Sequence, residues 1–135
     1  MKSADIKKLV NYWQATAEHD YETMLVLFKS KRYSDSLFFA HIVLEKILKA
    51  HVVKNTKKQT PKIHDLARLQ ELAEIKLADE KVELLNKIND FNIRARYPEY
   101  KLQFYKLCTK QYASRYLGES KKLYKELCQK LTLKK

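Results

Sequence analysis

One glycine and two prolines are the only strong chain-breakers in 135 residues. Hairpins, bulges and tight turns draw on residues that take positive φ or a fixed turn geometry. A sheet-rich fold therefore has almost no material here, and long helices joined by short connections remain. A chain of this length is expected to form one domain, residues 1–135, with a core of its own.

Helical spacing of apolar residues is clear along most of the chain. Ile6, Val10, Trp13, Ala17, Met24 and Phe28 mark a first helix over about 3–30. Its stripe is interrupted by Asp20. The SKRYSD segment reads as a turn, with Ser34 or Asp35 placed to cap the next helix. That second helix, over about 34–53, contains LFFAHIVLEKILKAHVV and is apolar nearly all round, so it should be the most buried. One polar stripe crosses it, His41, Glu45 and Lys49, with Glu45 and Lys49 in the favourable order for an i,i+4 pair.

After a polar loop, HDLARLQELAEI gives a short helix over about 64–75. A fourth helix begins near Asp79 and Glu80, whose charges suit a helix start. Pro98 must end it, because proline lacks an N–H and pushes Tyr97 out of helical conformation. A long last helix is expected over about 102–131, with Gly118 inside it at a cost of about 1 kcal/mol relative to alanine. A bend or a close helix contact would explain that glycine. Cys108 and Cys128 would then lie about 30 Å apart on one helix, too far for a disulfide, and read as reduced thiols. The expected architecture is all-α: an up-and-down antiparallel four-helix bundle with one additional short helix.

Net charge is +12, and only five of the 28 basic residues are arginine. Lysines spread round helices keep a chain soluble and favour encounters with anionic partners, but they name none. Charge on every side also counts against non-specific RNA binding through one basic face. The charged N-terminus has no apolar core, so no secretory leader is expected. No apolar run nears the roughly 20 residues of a membrane span. A cytoplasmic protein with no membrane association is the expectation. A single glycine rules out a P-loop or dinucleotide fingerprint. No HExxH occurs and the two cysteines are distant, so no metal site is expected. The Gly-Ser and paired aspartates of a nucleotidyltransferase are also missing.

The decamer FNIRARYPEY, residues 91–100, concentrates Arg94, Arg96, Tyr97 and Tyr100 around one of the two prolines. Cations near a helix end complement its carbonyls, and tyrosines at a domain edge pack rings with the hydroxyl in water. Arginine also offers a planar fork of donors to phosphate, and a phenol ring can cover a base. Of the histidines, His19 and His51 read as structural, whereas His41 and His64 fall beside other polar residues that interrupt apolar faces.

These stretches together resemble the HEPN family over almost the whole chain. The carriers are Trp13, Ala17 and Asp20; the FFAHIVLEKILKA run with Glu45, Lys46 and Lys49; KIHDL with His64, Asp65 and Leu66; and ARYPEY. The resemblance implies a helical bundle that commonly pairs as a homodimer, with a functional cleft at or near the seam. Some HEPN proteins are toxin-like RNases that use an arginine, usually a polar neighbour, then four to six residues and a histidine. Others bind nucleotides or act as scaffolds, often beside a minimal nucleotidyltransferase.

Here the RNase pattern is broken, because the last histidine is His64 and none follows Arg94 or Arg96. Proton transfer near neutral pH is the work histidine does best. The expectation is thus a non-catalytic module of the nucleotidyltransferase-associated type, half of a toxin–antitoxin-like pair. Arg94, Arg96, Tyr97, Tyr100, Lys46, Lys49 and His64 would hold a nucleotide or RNA anion, with no other cofactor. Asp20, Glu45 and His41 would be structural polar residues. The alternatives are an RNase toxin with a degenerate site and a purely structural helical protein, in which Asp20, Glu45 and Lys49 form one buried network.

Overall fold

The computed structural model describes residues 1–132. Six helices follow one another: α1 (Ser3–Lys29), α2 (Tyr33–Thr56), α3 (Leu66–Leu72), α4 (Asp79–Arg96), α5 (Pro98–Leu107) and α6 (Lys110–Thr132). No strand occurs among the described residues. Four long helices, α1, α2, α4 and α6, make the bundle, and α2 touches every other helix type of neighbour: α1 most extensively, then α6, α4, α3 and α5.

The hub position of α2 follows from its composition. Val43, Leu44, Val52 and Val53 are all buried, and they point to different sides of one helix. Burying each such side chain is worth about 1.5–3 kcal/mol, so α2 contributes the largest share of the core. By contrast α1 buries only a stripe, with Ala17 and Met24 at its centre. No helix among the described residues is long and apolar enough to cross a membrane.

A chain with one glycine still has to turn. Lys31, Lys57 and Glu74 take the left-handed conformation, with φ of 64°, 64° and 57°. A side chain in that region costs about 1–2 kcal/mol, which the packed helices on either side must outweigh. Neither Ser34 nor Asp35 caps α2. The helix begins earlier, at Tyr33, with Arg32 in the capping position and no side-chain cap.

The long last helix of the sequence reading is two helices. Cys108 leaves helical conformation at the end of α5. Thr109 then caps α6: its hydroxyl accepts from the Tyr112 amide at 3.2 Å, and its carbonyl from the Ala113 amide at 2.9 Å. Tyr105, Cys108 and Tyr112 keep helical spacing across the break, so periodicity alone runs straight through it. The cysteines therefore do not share a helix; both are free, and burial pushes the Cys108 thiol up to about 12. Gly118 marks no close contact, because a Cβ there would meet nothing within 4 Å.

Pro98 ends α4 as expected, and it also opens α5. Tyr97 is extended (φ −93°, ψ 130°) and serves as the last cap of one helix and the first of the next. Proline in the first helical turn has no amide to waste, which is why a second helix can start at the residue that stopped the first.

Candidate functional site

Glu45 is the centre of a polar cluster on α2. Its carboxylate accepts from the Lys49 ammonium at 2.9 Å and from His64 Nδ1 at 3.1 Å, and lies 3.7 Å from His41 Nδ1. Lys49 is only 6% exposed, and its ammonium also sits 5.3 Å from the centre of the Trp13 ring. A buried cation with one carboxylate and one aromatic face is committed inward.

His41 Nε2 is 2.9 Å from the His64 carbonyl, so Nε2 carries the hydrogen and donates. Burial lowers the His41 pKa, outweighing the pull of the Glu45 carboxylate, and the Arg96 charge lowers it further. The ring is therefore held neutral, consistent with the long approach of Nδ1 to Glu45.

His64 stands in the connection before α3, yet it is fixed from three directions. Its carbonyl is taken by His41 and its ring by Glu45. The next residue, Asp65, caps α3 through the Ala67 and Arg68 amides and accepts from Asn89 Nδ2 at 2.9 Å. Asn89 Oδ1 in turn accepts from the Leu66 amide at 2.9 Å. With Nδ1–H on the carboxylate, the His64 lone pair is on Nε2, and its side chain is 57% exposed.

Arg96 belongs to the same face. Its charge acts on His41, its Nε donates to Asn92 Oδ1 at 3.1 Å, and its guanidinium lies 5.9 Å from the Phe38 ring centre. Asn89, Asn92 and Arg96 share one stripe of α4, which is why they meet α2 and the His64 loop together. Arg94 does not join them. Two residues on a helix are about 200° apart, and Arg94 turns to Asp90 at 2.9 Å and acts on Cys108 and Tyr112.

The remaining residues of the sequence reading are spread out. Lys46 pairs with Asp20 on α1 at 2.5 Å. The side chains of Tyr97 and Tyr100 are about half exposed and have no ring or hydrogen-bond partner among the described residues. Asp20 and Glu45 thus head two separate ion pairs, Asp20–Lys46 and Glu45–Lys49, rather than one network. His51 is structural: its Nε2 donates to the Leu127 carbonyl at 2.8 Å. Sequence reasoning missed Phe38, Asn89 and Asn92. The three-and-four spacing of Asn89, Asn92 and Arg96 was the available signal.

A family model for the HEPN domain matches residues 10–131. The chain belongs to the HEPN family. No curated protein and no solved structure matches it. Within this HEPN domain the face formed by Glu45, His64, His41 and Arg96 has one exposed guanidinium whose hydrogen bond goes to a neutral amide, and one exposed imidazole oriented by a carboxylate. Such a pair can receive an anion or handle a proton. Among the described residues no group of three or more His, Cys, Asp or Glu is placed to hold a metal ion.

Proposed function

We propose that this HEPN domain is a non-catalytic module that binds the phosphate of a nucleotide, free or on a partner, at the Arg96–His64 face. The reading includes pairing as a homodimer and action with a minimal nucleotidyltransferase, in a toxin–antitoxin-like pair. The observation that carries it is Arg96, with donors to spare, close enough for its charge to act on His41, which holds the loop whose His64 ring is fixed by Glu45. Lys46 and Lys49 take a smaller part than their charge suggests, since each already faces a carboxylate. Calorimetry with ATP, ADP and AMP tests the reading. Arg96→Ala should weaken binding about tenfold or more, the worth of a charge-assisted hydrogen bond, while Arg94→Ala leaves it unchanged. Equal affinity for wild type and Arg96→Ala, or binding in neither, would overturn it.

One observation favours a second reading, RNA cleavage with a relocated histidine. Glu45 holds His64 Nδ1–H, leaving Nε2 as an exposed base on the face that also carries Arg96. Incubation of bulk RNA with wild type and His64→Ala decides it. Cleavage that vanishes in the variant supports this reading, and intact RNA in both removes it.

A further inference from the structure

Large apolar side chains are exposed very unevenly. Of nine among the described residues, six lie between Ile93 and Leu107: Ile93, Tyr97, Tyr100, Leu102, Tyr105 and Leu107. Within α5 only Phe104 is buried, packed 5.5 Å from the ring centre of Phe91. A helix of ten residues is not stable alone, so α5 is held by that one anchor and its proline start while most of its apolar surface meets water. Leu102 and Tyr105, three residues apart, share one face of α5, and an exposed apolar face beside a cleft marks a place where something docks.

Beside the patch is a cleft of about 660 Å³ between α5 and the α1–α2 turn. Leu102 and Tyr105 border it with Ala95 and the anchor Phe104, and its basic residues are Lys31, Arg32 and Lys101. None of these three cations has an ion-pair partner among the described residues, unlike Lys46, Lys49 and Arg94. Asp35 is the one acid lining the cleft. A second copy presenting this same face would bring like charge against the same cations. The charge that complements the cleft is negative, and the shape takes a bulky apolar group.

We infer that α5 and the α1–α2 turn form the docking groove for an acidic segment of a partner protein. The segment seats a large apolar side chain against Leu102, Tyr105 and Phe104, and its carboxylates face Lys31, Arg32 and Lys101. Its basis is the exposure pattern and the unpaired cations, so it stands independently of nucleotide binding at Arg96. A random peptide library panned at low salt against the full chain supplies the probe, and fluorescence anisotropy of a recovered peptide measures it. The recovered peptides should be net acidic with an aromatic or leucine anchor. Affinity should fall at least about tenfold in Leu102→Asp and in the Lys31→Glu/Lys101→Glu double variant, and should weaken with added salt. Arg96→Ala should bind as wild type does. Leu102 is already exposed, so its variant keeps the fold, which circular dichroism checks. Recovery of no peptide, of neutral or basic peptides, or of peptides indifferent to Leu102→Asp overturns the inference. So does a wild-type dimer in sedimentation that Leu102→Asp splits, which would assign the face to a second copy.

Discussion

The middle of α2 and the stretch from Ile93 to Leu107 treat charge and apolar surface in opposite ways. Along α2, apolar side chains are buried on all sides, and the cations Lys46 and Lys49 are each answered by a carboxylate. Along 93–107, most large apolar side chains other than Phe104 face water, and Lys101 and Arg96 have no carboxylate partner among the described residues. The first region is finished within one chain. The second has groups to spend on something else, and Arg96 belongs to it in chemistry while touching the first in space.

The largest expected effect would break this contrast at its centre. Glu45→Ala leaves Lys49 buried without its carboxylate and frees the His64 ring, and should cost about 3–5 kcal/mol in urea denaturation. A loss below about 1 kcal/mol would mean that the cluster is not the tightly held unit described. Next comes Phe104→Ala, expected to cost about 3 kcal/mol or somewhat more. Because Phe104 is the one buried residue of α5, hydrogen exchange should rise over residues 98–107 well before it rises in α2. Uniform loss of protection through both helices would show that α5 is part of the core rather than an appendage.

A smaller effect tests how α2 holds its histidine. His41 has a lowered pKa because it is buried. The unfolded chain therefore binds a proton that the folded chain resists, and the resulting penalty grows as pH falls below about 6.5. Stability should drop with acidification by up to about 1.4 kcal/mol per pH unit from this group. Comparison of wild type with His41→Gln isolates it from every other titration in the chain. Equal pH slopes would contradict a neutral buried ring. The smallest effect belongs to the outer face of α5: Leu102→Lys should change stability by less than about 0.5 kcal/mol, since the side chain is 62% exposed. A larger loss would mean that Leu102 packs within its own chain.

Much of this was legible in the residue order. The scarcity of glycine and proline and the all-round apolar character of LFFAHIVLEKILKAHVV were enough for an all-α bundle centred on α2. The Glu45–Lys49 pair followed from i,i+4 spacing. The split of the last helix was not legible, because Thr109 interrupts an apolar period that continues on both sides of it. At the site, Arg94 and Arg96 looked like one feature in FNIRARYPEY, but helical geometry sends them to opposite sides of α4. The His64 contacts were hidden for another reason: they join a loop to helices 19 and more positions away, through Glu45, His41 and Asn89. Local pattern carries no information about such pairings until the bundle brings them together.

Tyr97 is the whole of the joint between two rods. The guanidinium of Arg96 ends one rod and Pro98 begins the next, with a single extended residue between them. The cleft and Arg96 are thus next-door neighbours along the chain, since Ala95 and Pro98 line the cleft and Arg96 stands between them.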